Sequence, residues 1–120
     1  MKEYFDKICN ELPEISESNI FAEPSNKETA TCIGLSAAKL LKKDKEATMI
    51  VLPSDHYIEN EKEFKETVLQ GVEIANKKRG LVTIGVQPSR PETGYGYIEM
   101  GDRISGDMPT FKVRTIFRKT

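Results

Sequence analysis

Three groups of side chains in this sequence have types and spacings that can do chemistry. The first is Asp55 with His56, the single histidine, directly after the apolar run Met49-Ile50-Val51-Leu52-Pro53-Ser54. An acid at the carboxyl end of a parallel strand lies where open α/β sheets bind ligands, so Asp55 could hold a metal ion or serve phosphate chemistry. Ser and Asp after a strand are also ordinary turn residues, with Asp55 capping the segment that follows; the local pattern leaves both readings open. The second group is Thr93-Gly94-Tyr95-Gly96-Tyr97-Ile98-Glu99-Met100, where glycines in an extended segment remove side chains so that another surface can reach the backbone. A ligand would use that space, and so would a bulge or a helix packed close. The third is the lysine cluster Lys39, Lys42 and Lys43, read as a solvated face suited to the negative end of a helix dipole ahead of a phosphate-binding patch.

The elements that must position these groups follow from periodicity. Tyr4, Phe5, Ile8, Cys9 and Leu12 recur at helical spacing and Pro13 ends the run, predicting a helix over 2–12. Asn19 to Glu23 reads as a short strand stopped by Pro24. Ser25 and Glu28 fit a capping box, and Ala30, Ile33, Ala37, Leu40 and Leu41 form one stripe of a helix from about Asn26 to Lys43. Ile50–Leu52 reads as a buried strand ended by Pro53. Asn60 opens another helix, with Phe64, Val68, Val72 and Ala75 inward and Gly80 closing it. Leu81 to Val86 is a further apolar, β-branched strand, so Met49 to Gly85 is expected to be the strand–helix–strand crossover of a parallel sheet. After the proline-rich loop Gln87–Glu92 come the extended glycine-tyrosine segment, turns at Gly101-Asp102-Arg103 and Ser105-Gly106-Asp107, and a last strand, Phe111 to Phe117. The alternation predicts an α/β fold.

Composition narrows the partners. With 18 Lys+Arg against 19 Asp+Glu, no basic field exists to hold nucleic acid or an anionic membrane surface. No apolar run nears the roughly 20 residues that span a bilayer, and the amino end lacks the apolar stretch of a signal peptide, so the expected location is cytoplasmic. Cys9 and Cys32 fall on apolar helix faces and are expected to be buried thiols. A zinc site with His56 would lack any close ligand pair. The chain contains no Gly-x-x-x-x-Gly-Lys-Ser/Thr loop, no Gly-x-Gly-x-x-Gly opening a helix and no Gly-x-Ser-x-Gly elbow, which disfavours a P-loop enzyme, a dinucleotide oxidoreductase and a serine hydrolase.

Three segments in fixed order carry a resemblance: Asn19-Ile20-Phe21-Ala22-Glu23-Pro24 with Thr29-Ala30, then Val51-Leu52-Pro53-Ser54-Asp55-His56, then Pro88-Ser89-Arg90-Pro91-Glu92-Thr93-Gly94-Tyr95-Gly96-Tyr97-Ile98. Together they closely resemble mannose-1-phosphate guanylyltransferases, from about Tyr4 to Gly101. The resemblance implies a partial nucleotide-diphospho-sugar transferase fold, Rossmann-like with a mainly parallel sheet, over 1–120. It implies attack of mannose 1-phosphate on the α-phosphorus of GTP, with Mg²⁺ offsetting phosphate charge. By the same resemblance Asp55 is the catalytic Mg²⁺ ligand, Glu23, Pro24, Thr29 and Ala30 lie beside the guanine base, and Thr93, Gly94, Tyr95 and Gly96 line the sugar pocket.

The sequence departs from that family at Lys27-Glu28, where Arg-Asn usually precedes Thr-Ala, and at Arg118-Lys119-Thr120, where Glu-Lys-Pro is usual. The Gly-rich signature of the family's first strand and the C-terminal half of its catalytic domain are not found in the sequence. The expectation is therefore that this chain alone does not turn over and that an exposed sheet edge promotes self-association. Two other readings stand beside it: a non-catalytic truncated paralogue or structural remnant, and a related sugar-1-phosphate nucleotidyltransferase with another base or sugar.

Overall fold

The computed structural model describes residues 2–21, 29–104, 106 and 108–118. Among the described residues are three α-helices, α1 (Lys2–Glu11), α2 (Thr29–Lys43) and α3 (Glu61–Lys78), one 3-10 turn (Glu17–Asn19), and two strands, β1 (Gly96–Ile104) and β2 (Thr110–Arg118). The chain divides into two compact units, Met1–Ser54 and Asp55–Thr120.

In the first unit α1 forms as its periodicity predicts, with Phe5 and Cys9 half-buried. Over the described part of the expected strand at Asn19–Glu23, Asn19 instead closes the 3-10 turn, its N–H donating to the Ser16 carbonyl at 2.8 Å, and Ile20 and Phe21 lie outside any strand; Ala22 and Glu23 fall outside the described residues. Helix α2 is described from Thr29, and the expected capping box at Ser25 and Glu28 lies outside the described residues. Its lysines are not simply a solvated face. Lys39 Nζ sits 3.7 Å over the Phe21 ring and Lys43 Nζ donates to Asn19 Oδ1 at 3.5 Å, so the two lysines tie α2 to the 3-10 turn and the residues just after it.

The second unit contains α3, a helix legible residue by residue. Asn60 caps it, its side chain accepting from the Glu63 N–H at 3.2 Å while its amide donates to Glu63 Oε2 at 3.0 Å. Phe64, Val68, Val72 and Ala75 are half-buried, and the expected outer face of Glu61, Lys62, Lys65, Glu66, Glu73 and Lys77 is exposed. The left-handed residue at its end is Arg79 (φ 48°, ψ 48°), not Gly80. The left-handed turn therefore comes one residue before the glycine, at a cost of about 1–2 kcal/mol that glycine at that position would avoid.

The expected parallel sheet is not formed among the described residues. Ile50–Leu52 and Leu81–Val86 make no ladder; the only sheet described is the antiparallel pair β1–β2. Ile50, Val51 and Leu52 are about half exposed (50%, 52% and 53%), not buried. A strand, unlike a helix, takes its hydrogen bonds from a neighbour, and no described segment supplies one to either run. Within the second run Val82 lies against α3, where a Cβ on Gly71 would stand 3.7 Å from Val82 Cγ1. No described residue is fully buried, and the thiols follow suit: Cys9 is half-buried and Cys32 is exposed, against the expectation of two buried cysteines.

The hairpin pairs Gly96 with Arg118 and Ile104 with Thr110, and Gly101-Asp102-Arg103, expected as a turn, lies within β1. Register shifts fall between Glu99 and Met100 and between Met100 and Arg103. An extra residue on β2, Arg114, is followed by an extra residue on β1, so the two bulges cancel and pairing resumes at Arg103 with Phe111. Arg114 turns its guanidinium to Glu99 Oε1 at 3.2 Å. Glycine is favoured at 101, because a Cβ would stand 3.1 Å from the Lys112 carbonyl oxygen, close enough that the backbone would have to give.

Candidate functional site

The best-defined local structure among the sequence-selected residues is the turn leading into β1. Glu92 is held three ways. Its N–H donates to the Tyr97 hydroxyl at 2.8 Å, its carbonyl accepts from that hydroxyl at 2.8 Å, and its carboxylate accepts from the Gly94 N–H at 3.2 Å. The Tyr97 ring stacks on Phe117 of β2 with centroids 6.0 Å apart and planes 21° apart. Thr93, Gly94, Tyr95 and Gly96, expected to line a sugar pocket, are exposed on the turn so formed. One of the main-chain donors expected to meet ligand hydroxyls, the Gly94 amide, is thus engaged by Glu92. Beside the turn a solvent-open recess of about 270 Å³ is lined by Pro88, Ser89, Arg90, Pro91 and Tyr97.

Asp55 lies in the same unit, exposed at a bend. The cap reading of Asp55 does not hold for the next helix, because Asn60 fills that role. No hydrogen bond or ion pair engages the Asp55 carboxylate among the described residues. Nor do the described residues contain a group of three His, Cys, Asp or Glu side chains able to hold a metal ion. Magnesium commonly takes one or two carboxylates and fills its remaining positions with phosphate oxygens and water, so a lone free carboxylate fits Mg²⁺ only together with a phosphate ligand.

Thr29 and Ala30 belong to the other unit, where they are exposed in the first described turn of α2. The free N–H groups of a helix start suit an anion or a polar base edge. Glu23 and Pro24 lie outside the described residues. Sequence reasoning missed the roles of Glu92 and Tyr97, because the Tyr97 hydroxyl reaching back to Glu92 depends on a turn geometry that periodicity does not encode.

Comparison with known proteins bears on the chain as a whole. Residues 2–119 match the family described as Nucleotidyl transferase. The chain belongs to that family. It is 39% identical over 99 residues to the mannose-1-phosphate guanylyltransferase of Salmonella montevideo, covering 81% of this chain and 20% of that protein. It is 38% identical over 128 residues to the mannose-1-phosphate guanylyltransferase ManC of Salmonella typhimurium, covering 93% and 26%. A putative mannose-1-phosphate guanylyltransferase of Vibrio cholerae is 31% identical over 103 residues, covering 86% and 22%. The chain thus spans about a fifth to a quarter of the length of these curated relatives. No solved structure matches it. Family membership accords with the α/β class expected from the alternation of elements. No described helix is long and apolar enough to cross a membrane.

Proposed function

We propose that this chain is part of the nucleotidyltransferase domain of a GDP-mannose-forming enzyme, with residues 1–120 belonging to one domain. In the whole protein, mannose 1-phosphate attacks the α-phosphorus of GTP, pyrophosphate leaves, and GDP-mannose forms. The observation that carries the reading is 38% identity to the mannose-1-phosphate guanylyltransferase ManC of Salmonella typhimurium over 93% of this chain, taken with the order of the motifs at Glu23, Asp55 and Thr93 in the sequence. Asp55 contributes the protein carboxylate to Mg²⁺, which when bound offsets phosphate charge. Glu23, Pro24, Thr29 and Ala30 flank the guanine, and Thr93, Gly94, Tyr95 and Gly96 receive the sugar. In the whole domain Ile50–Leu52 and Leu81–Val86 are strands of a mainly parallel sheet, which accounts for apolar, β-branched runs that make no ladder here. The setting is cytoplasmic, with no nucleic acid or membrane as partner.

A second reading, a non-catalytic module that pairs with another chain, draws support from the lack of any fully buried residue among those described. Calorimetric titration of the chain with GTP and Mg²⁺ separates the two. Heat on the wild type that falls at least about tenfold in affinity with Asp55→Ala supports the residual site; no heat on the wild type sinks it. Pyrophosphate release from GTP and mannose 1-phosphate is expected to be absent from the chain alone. Competition among GTP, ATP, UTP and dTTP tests the base, and glucose 1-phosphate against mannose 1-phosphate tests the sugar.

A further inference from the structure

Tyr97 stands outside the residues assigned to ligand contact, yet its hydroxyl engages both main-chain groups of Glu92, at 2.8 Å each. The N–H and C=O of one residue point to the same side only when that residue is extended, so a single hydroxyl bridging both holds Glu92 in that conformation. Glu92 then delivers the chain into Thr93 and Gly94, and its own carboxylate holds the Gly94 amide at 3.2 Å. The other end of the clamp is the hairpin, because Tyr97 is itself a residue of β1, with its ring stacked on Phe117 as a secondary contact. The orientation of Thr93–Gly96 is therefore referred to β1 and β2 through one side chain.

We infer that Tyr97 is a positioning residue: its hydroxyl holds Glu92 extended so that the Thr93–Gly96 backbone stays presented to a sugar phosphate. This rests on the proposed reading of Thr93–Gly96 as the sugar loop. A purely structural Tyr97 would support the hairpin without affecting affinity. The variants divide the two roles, because Tyr97→Phe keeps the stack and removes the hydroxyl, whereas Phe117→Leu weakens the stack and leaves the hydroxyl.

The test is an NMR titration of the isotope-labelled chain with mannose 1-phosphate in the presence of GTP and Mg²⁺, following the amides of Thr93, Gly94, Tyr95 and Gly96. The expected result is a wild-type chain whose Thr93–Gly96 amides shift, a Tyr97→Phe chain with unchanged far-UV circular dichroism that binds about tenfold more weakly, and a Phe117→Leu chain within about twofold of wild type. Equal affinity in wild type and Tyr97→Phe overturns the inference and leaves the sugar reading intact. Absence of any shift at these amides in the wild type overturns the sugar reading, and the inference with it. A second measurement needs no variant: a turn already positioned keeps the exchange rate of the Glu92 amide within about twofold between free and ligand-saturated wild type. Tenfold faster exchange on binding would mean that the clamp opens, and would overturn it.

Discussion

Gly101→Ala probes the double bulge of the hairpin, where two effects of comparable size oppose each other. Alanine restricts the unfolded chain and on that account stabilises by about 0.4–1 kcal/mol. Against this, its Cβ would meet the Lys112 carbonyl oxygen at 3.1 Å, with the Lys112 and Arg114 Cβ atoms at 3.7 and 3.8 Å. That oxygen belongs to backbone between two cross-strand pairs, Met100 with Val113 and Arg103 with Phe111, so it cannot swing away as a side-chain end would. Relieving the contact shifts a strand, and overpacking of this kind costs about 1–3 kcal/mol. The clash wins, with a net loss of about 1 kcal/mol, or roughly fivefold in the opening constant of the hairpin. Native-state hydrogen exchange of the β2 amides reads that quantity directly and does not require the whole chain to unfold at once. Gly96→Ala is the matched control, since its Cβ would meet only Ile116 Cγ2 at an ordinary 3.8 Å and should change stability by no more than about 0.5 kcal/mol. Exchange in Gly101→Ala as slow as in wild type would refute the claim that close approach favours glycine at 101.

The remaining expectations follow from equally local observations. Asn60→Ala removes the acceptor of the Glu63 N–H and should lower the stability of α3 by about 1 kcal/mol, seen as faster amide exchange in its first turn, while Asn60→Asp should retain most of it. Partial burial, helped by the nearby Glu17 and Asp6 carboxylates, pushes the Cys9 thiol above its ordinary value. The folded chain therefore holds that proton more tightly than the unfolded one, and stability falls as pH climbs from the unfolded toward the folded inflection. Iodoacetamide alkylation of Cys9 should accordingly inflect at higher pH in buffer than in urea, and identical inflections would contradict the assignment. Exposure of Ile50, Val51, Leu52, Leu81 and Val86 at 50%, 52%, 53%, 105% and 84% should drive concentration-dependent self-association, and a single monomeric species across a wide concentration range in sedimentation would count against it.

Helix α3 was readable from sequence because everything that makes it lies within a few residues: the Asn60 cap, the i to i+4 ladder, and the stripe from Phe64 to Ala75. The same holds for α1 and for most of α2. The ordered motifs around Asp55 and Thr93–Gly96 were also legible, since family resemblance needs residue identity and order, not contacts. Strand pairing was not. Ile50–Leu52 and Leu81–Val86 carry strand composition, but a ladder is a property of two segments, and no described neighbour completes either one. The register of β1 on β2, with cancelling bulges on either side of Met100, depends on how Gly101 approaches Lys112, a distance that no spacing rule contains. The tertiary structure likewise decided that Arg79 takes the left-handed position, that Lys39 lies over Phe21, and that the Tyr97 hydroxyl closes on Glu92. Types and order of chemical groups are written along the chain; which of them meet is set where separated segments pack.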